Sequence, residues 1–373
     1  MITVGSILDV YLNVNILLIA AFGIWVGTRA TMRATGIAGD KALALKLLKM
    51  LVLSCFLFPL LVMVSDQMMR PQGAEHALSF SLSDLMVSQY LQGSLDIKAA
   101  ELDLLLGLRA RLTDDFLALQ SGFALITAGL LGLGLLIGLG RLCLSLYRLH
   151  VILNKSYEWR SFGNVHLILS ETVTTPFSTR SLFRRYIVVP VDMLARSKDL
   201  RMALGHEFQH LRQRDTEWEL VLEFLRPVFF WNPAFHFLKR DIERLRELSC
   251  DQQVISRNGV DIRDYCECLL RTCELGLRRR EQTLRARPSV AFVQLDLSIT
   301  GKPSSAFLEQ RMLTLLAGGN AKRNRALFSA ILIPVLALVG LVAVMMQKPN
   351  DWSHERIMFS TVINLDRLAA RNR

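Results

Sequence analysis

Two histidines four residues apart with a glutamate between them are the residues best placed to do chemistry here: His206, Glu207 and His210 in LGHEFQH. On a helix, positions i and i+4 leave the same face one turn apart, so the two imidazoles can share one metal ion. This is the pattern of a zinc hydrolase, in which the ion takes three protein ligands and keeps a fourth position open. Glu247, in RELSCD, is the candidate third ligand. Glu207 is then left to take a proton from water as it attacks a peptide carbonyl, which makes peptide-bond hydrolysis the reaction class. The plain alternative is a buried or solvated histidine pair. Local context favours the metal: Asp199 can cap a helix in which Met202, Leu204, Phe208 and Leu211 supply apolar contacts around the pair, and no proline interrupts it.

The elements that must hold this pair belong to an apolar chain. Of 373 residues 51% are hydrophobic and the mean hydropathy is +0.32, which is the composition of a membrane protein. Four stretches are long enough to cross a bilayer, at about 7–26, 47–64, 122–139 and 327–346. The first carries Asp9 and no basic residue before its apolar run, so it reads as a retained span and not as a cleaved signal peptide. Arg29, Arg33, Lys41, Lys46 and Lys49 follow it against Asp40 alone, which places that connection in the cytoplasm and the amino terminus outside. Alternation gives a membrane domain 1–140 with three spans and an external segment 66–115, a cytoplasmic domain 141–326, a fourth span 327–346 and a short external tail 347–373. Between Arg141 and Arg325, Lys and Arg outnumber Asp and Glu by 30 to 20, nearly the whole net charge of +11. That excess suits the cytoplasmic side and anionic lipid. Direct nucleic-acid binding is not expected, because no zinc-finger, RNA-binding or helix-turn-helix pattern is present.

Within the first span Asn13 and Asn15 want partners on another helix. The external segment contains AAELDLLLGLRARL, whose leucines and charges predict a helix on the membrane surface. Gly134 and Gly138 form G-x-x-x-G in the third span, a face that can pair spans within one chain or between two, so a homodimer stays open. Five of the six cysteines fall in the cytoplasmic part, where thiols stay reduced. Cys266, Cys268 and Cys273 match no common zinc spacing, and DYCECLLRTCELGL reads as an amphipathic helix.

Past Arg141, NVHLILSETV and RRYIVVPVDML, separated by TTPFSTRS, predict a small antiparallel sheet ahead of the metal helix. An extended substrate can add to its edge at Thr175, Pro176, Phe177 and Ser178, while His166 reads as a packed strand residue. ELVLEFLRPVFFWNPAFHFLKR is apolar enough for a fifth span. Glu219, Glu223 and Arg226 charge its first half and Pro227 and Pro233 interrupt it, which predicts a buried helical hairpin pressed against the bilayer surface. His236 there is structural or faces substrate. In FLKRDIERLRELSCDQQVI, Glu247 and Asp251 share one face. Either Glu247 reaches the metal and Asp251 bonds the free ring nitrogen of a ligating histidine, or both belong to a solvated face; spacing alone leaves this open.

LGHEFQHLRQRD, FFWNPAFHFLKRDIERLRELSCD and TTPFSTRSLFRRYIVVP together resemble the BlaR/MecR type of membrane metallopeptidase, the β-lactam-sensor transducers, over about residues 172–254. The four-span layout with the peptidase between the last two spans is similar too. The resemblance implies one zinc ion held by His206, His210 and Glu247, with Glu207 as general base. It implies a supporting role for Asp215, which helical geometry alone keeps off the metal face. It also implies a bacterial inner-membrane protein in which a signal switches on cleavage of a cytoplasmic repressor, and often of the chain itself. The arginine-rich LRRREQTLRARPSV is a candidate self-cleavage site or a solvated linker. The antibiotic sensors carry a penicillin-binding domain after the last span, whereas the tail here contains no S-x-x-K, so direct β-lactam acylation is not expected. The expected architecture is a polytopic α-helical membrane protein of about four spans with an inserted α+β, gluzincin-like, cytoplasmic zinc-metallopeptidase domain. Its rivals are a quality-control protease of the HtpX type and a non-proteolytic sensor or scaffold with structural zinc.

Overall fold

The computed structural model describes residues 4–36, 39–69, 82–92, 121–181, 184–283, 305–317 and 325–346, with isolated positions between 94 and 118 and between 360 and 364. Helices α1 (Val4–Ala34) and α2 (Lys41–Met69) are followed by the short α3 (Leu82–Leu91) and the long α4 (Gly122–Lys155). With a late helix, Arg325–Met345, they contain four stretches long and apolar enough to cross a membrane: Ile7–Ala34, Lys41–Val62, Gly122–Lys155 and Phe328–Met345. Hydropathy ends at the first charges but helix propensity does not. Arg141 and Arg148 are good helix formers, so α4 continues to Lys155 through the boundary drawn at residue 140.

The chain divides into two compact units, one of residues 1–28, 49–132 and 324–373 and the other of residues 29–48 and 133–323. In the first, Leu17 and Leu18 of α1 and Leu51 and Cys55 of α2 are buried, and Cys55 Sγ lies 3.7 Å from the carbonyl of Leu17. Asn15 is buried and donates to the carbonyl of Tyr11 in its own helix at 2.8 Å, so one of its needs is met without a second helix. Val87 of α3 is buried with Leu102, and Tyr90 and Ile363 pack against them. Most of AAELDLLLGLRARL lies outside the described residues.

The second unit holds the sheet. Strand β1 (Tyr157–Phe162) turns at Gly163, whose φ of 57° suits a residue without Cβ, and pairs antiparallel with β2 (Val165–Ser170). Strand β3 (Phe177–Arg180) pairs antiparallel with β4 (Arg185–Pro190), and β4 lies parallel to β2, giving the order β1-β2-β4-β3. The two apolar runs expected to pair antiparallel are therefore parallel. The segment between them is no simple loop: it supplies β3, which runs along the outer side of β4, so the chain re-enters β4 in the direction of β2. Alternation along a strand looks the same for either pairing, and the connection decides it. Strand β1 has no buried stripe to mark it in the sequence, because all six of its residues are exposed. Thr175 and Pro176 precede β3, and only Phe177 and Ser178 of the expected substrate edge lie within it.

Alternation sends Ile168 and Val188 to one face, with Val173, Phe177 and Leu149 of α4, and Leu167, Ile187 and Val189 to the other. On that second face sits α5 (Ser197–Arg212), through Leu200, Ala203, Leu204 and Leu211. Each fully buried aliphatic side chain contributes about 1.5–3 kcal/mol. Asp199 does not cap this helix. A 3-10 turn, Val191–Ala195, delivers the chain through Arg196, the N-cap residue, into Ser197, and Asp199 sits within the first turn, buried and accepting from Arg271 Nη2 at 2.9 Å.

The unit is completed by α6 (Asp215–Leu225), α7 (Pro233–Asn258), α8 (Ile262–Thr283) and α9 (Ser305–Leu316), and the late apolar helix is α10 (Arg325–Met345). Helix α7 starts where Asn232 accepts from the Ala234 N–H at 3.0 Å with Pro233 in the first turn. Helix α8 runs through LRRREQT, so the first half of the arginine-rich stretch is helical, and residues 284–290 lie outside the described ones. The α1–α2 connection lies along α7: Arg29 Nη1 donates to Asp241 Oδ2 at 2.7 Å, and Gln252 Nε2 to the carbonyl of Gly39 at 2.9 Å.

The turn between α6 and α7 is buried on one side only. Pro227 and Phe229 are covered, whereas Val228 and Trp231 are 39% and 42% exposed, and Phe237 early in α7 is 50% exposed. Its covered side meets α4. A Cβ on Gly134 would lie 2.2 Å from Cζ of Phe230, and one on Gly138 would lie 3.0 Å from Cα of Pro227. Among the described residues the G-x-x-x-G face thus receives this turn and not a second span. Gly138→Val is expected to push the turn away at a cost of about 1–3 kcal/mol, read as earlier thermal unfolding in detergent with altered tryptophan fluorescence. Unchanged melting would show that the close approach does not occur.

Candidate metal centre

Helix α5 packs on α7, and the contact gathers the predicted ligands. The rings of His206 and His210 stand edge to face, centroids 4.6 Å apart, with their Nε2 atoms separated by 3.0 Å. Glu247 on α7 turns its carboxylate to the same point: Oε2 is 3.4 Å from His206 Nε2 and Oε1 is 3.5 Å from His210 Nε2.

The other ring nitrogens decide which tautomer each imidazole adopts. His210 Nδ1 is 2.9 Å from Oδ2 of the wholly buried Asp215, an acceptor, so the ring proton sits on Nδ1. His206 Nδ1 is 2.9 Å from the hydroxyl of Tyr265, which donates its own proton to Asp251 Oδ1 at 2.8 Å, so this Nδ1 also donates. Both Nε2 atoms are therefore the ones left to bind a cation. They face each other and a carboxylate whose buried Oε1 has no hydrogen-bond partner. Three acceptor atoms converge on one point, and a cation, proton or metal ion, is what such a cluster calls for. Two imidazoles and a carboxylate form a donor set that suits zinc.

Burial works against charge on these groups, but their neighbours outweigh it. Cys250, Tyr265 and Asp251 hold His206 well above the ordinary imidazole range, and Cys250, Glu247 and Asp215 do the same for His210. His210, His206 and Arg311 hold Glu247 well below the usual carboxylate range. A metal-free cluster thus draws in a proton, which an arriving ion must displace.

Cys250 is a further candidate donor, since His206, His210 and Cys250 place ligand atoms within 4.8 Å of one another. Direction separates it from Glu247. Its Sγ lies 3.5 Å from His206 Nδ1 and 3.4 Å from the His206 carbonyl, whereas the two Glu247 oxygens each face an Nε2 atom. Glu207 is buried, and among the described residues its carboxylate makes no hydrogen bond or ion pair.

Asp215 departs from helical extrapolation. Helix α5 stops at Arg212, and Arg214 adopts a left-handed φ of 56°, so the chain reverses and α6 begins with Asp215 directed back at His210. Asp215→Asn is expected to weaken zinc binding about 10–100-fold, measured by chelator competition. Wild-type affinity would show the contact to be idle. Asp251 reaches His206 Nδ1 only at 3.4 Å, and the Tyr265 hydroxyl bonded to both carries the interaction. His166 bonds Glu158 across β1 and β2 at 2.8 Å, and His236 Nε2 bonds the Phe230 carbonyl at 2.9 Å, so both are structural.

Three residues at the site are not singled out by sequence motifs. Tyr265 opens the amphipathic helix, where a hydroxyl on the apolar face is a local clue. Arg246, whose Nη1 donates to Glu219 at 2.9 Å, is buried beside Glu247 with Nε and Nη2 unbonded. Arg311, in SSAFLEQRM, carries no local signal at all.

Four helices long and apolar enough to cross a membrane indicate a multi-pass membrane protein, and beside its small mixed sheet a helix presents two imidazoles to one point, as a metallopeptidase site requires. Residues 147–296 match the BlaR1 peptidase M56 family, whose peptidases are zinc-dependent. Regulatory protein BlaR1 of Bacillus licheniformis is 30% identical over 99 residues, 26% of this chain and 16% of that protein. Regulatory protein BlaR1 of Staphylococcus aureus is 21% identical over 223 residues, 58% of this chain and 35% of that protein. The matches span about a third or less of these relatives' lengths.

Proposed function

We propose that this chain is an integral-membrane zinc endopeptidase, with its amino terminus outside and its peptidase domain in the cytoplasm. On a signal it hydrolyses a cytoplasmic regulatory protein such as a transcriptional repressor, with its own chain as a second substrate. The observation that carries the reading is the convergence of His206 Nε2, His210 Nε2 and the Glu247 carboxylate on one buried point. These three would hold one zinc ion, which supplies Lewis acidity toward a peptide carbonyl. Glu207, next to His206 on α5, takes the proton of the attacking water and passes it to the leaving amine. Asp215 and the Tyr265–Asp251 pair keep the ligating lone pairs aimed.

Among the described residues strand β3 has a strand partner on one side only, which leaves an edge where an extended substrate can add main-chain hydrogen bonds along Phe177 and Ser178, entered past Thr175 and Pro176. The basic excess between Arg141 and Arg325 and the charges around Arg29 support the cytoplasmic placement. Purified protein incubated with a candidate repressor and with unfolded membrane proteins tests the substrate class. Cleavage of the repressor at one site, abolished by a chelator and restored by zinc, is expected. Preference for the unfolded pool would replace this reading with membrane-protein quality control.

A further inference from the structure

Arg311 lies on α9, remote in sequence from every predicted ligand, yet its guanidinium is buried against the metal centre. Nε donates to Asp251 Oδ2 at 2.7 Å and Nη2 to Asp251 Oδ1 at 2.8 Å, while Nη1 stands 3.7 Å from Glu247 Oε2. A two-bond fork of this kind fixes a carboxylate in both position and plane. Asp251 so held receives the Tyr265 hydroxyl at 2.8 Å, and Tyr265 receives His206 Nδ1 at 2.9 Å. One connected path therefore runs from α9 through α7 and α8 to the imidazole on α5.

We propose that Arg311 is a positioning residue for the metal centre: through Asp251 and Tyr265 it holds His206 with its Nε2 lone pair turned to the ion. The inference rests on the ligand set of the proposed function. It makes the zinc site answer to the placement of α9, which ends at Leu316 shortly before α10, the last candidate span, begins at Arg325. Helix α9 borders open space on one side. A cavity of about 580 Å³ flanks it, lined on the far wall by Gly39, Lys41 and Gln252 and on its own side by Gln310, Leu313 and Thr314.

The test uses the full chain in detergent and reads zinc affinity by chelator competition and the visible spectrum of the cobalt(II) form, which reports ligand geometry. Arg311→Gln is expected to bind zinc about 10–100-fold more weakly, with a shifted cobalt spectrum. Arg311→Lys, which keeps the charge but not the fork, should fall between this variant and wild type. Arg244→Ala removes a neighbouring α7–α9 contact, Arg244 Nη2 to Gln310 at 3.0 Å, and leaves the path intact, so wild-type affinity is expected. Wild-type affinity and spectrum in Arg311→Gln overturn the proposal, and so does an Arg244→Ala loss as large as that of Arg311→Gln. If the glutamine variant does not fold, wild-type affinity in Arg311→Lys overturns it as well. A wild-type chain that takes up no zinc overturns the ligand set itself, a result distinct from either.

Discussion

Glu207→Gln protein is expected to take up zinc as the wild type does and to cleave its substrate about 100- to 10,000-fold more slowly, the range for removing a positioned general base. The separation follows from geometry. Glu207 leaves α5 one residue after His206, so the amide replaces the carboxylate without touching either imidazole, Asp215 or the Tyr265–Asp251 pair. The wild-type carboxylate is buried and makes no ion pair among the described residues, so no structural bond is lost with its charge. What disappears is the ability to accept a proton. Metal content of the purified variant, set beside single-turnover cleavage, checks both halves. Signalling that proceeds unchanged in cells carrying Glu207→Gln would sink the protease reading and favour a scaffold with structural zinc.

Glu247→Ala is expected to lose zinc by more than the 10–100-fold typical of a supporting group, and Cys250→Ser to retain it. Both residues lie on α7 and both are buried near the histidines, so proximity does not choose between them. Direction does. Cys250 Sγ meets His206 at Nδ1, 3.5 Å away, and at its carbonyl, 3.4 Å away, and that Nδ1 is already engaged by Tyr265 at 2.9 Å. Glu247 meets both Nε2 atoms at 3.4 and 3.5 Å. Removing it also leaves the two buried guanidinium groups beside it, Arg246 and Arg311, with less negative charge to face, which further disfavours a dication there. Zinc retained in Glu247→Ala and lost in Cys250→Ser would reverse the assignment.

Short-range repeats in this chain speak for themselves. Four apolar stretches set four long helices, and the four-residue spacing of His206 and His210 put both rings on one face of α5, because hydropathy and helical period act within a few turns of chain. Partners that meet across the fold left no such trace. Strands β2 and β4 run parallel because β3 intervenes, Asp215 returns to His210 because Arg214 turns left-handed, and Tyr265 stands between Asp251 and His206 because α8 packs where it does. Arg311 is the extreme case. Nothing around SSAFLEQRM marks it for burial, and only the docking of α9 reveals why a guanidinium belongs there: a buried carboxylate must be neutralised by whatever cation the folded chain brings within reach, whatever its distance along the sequence.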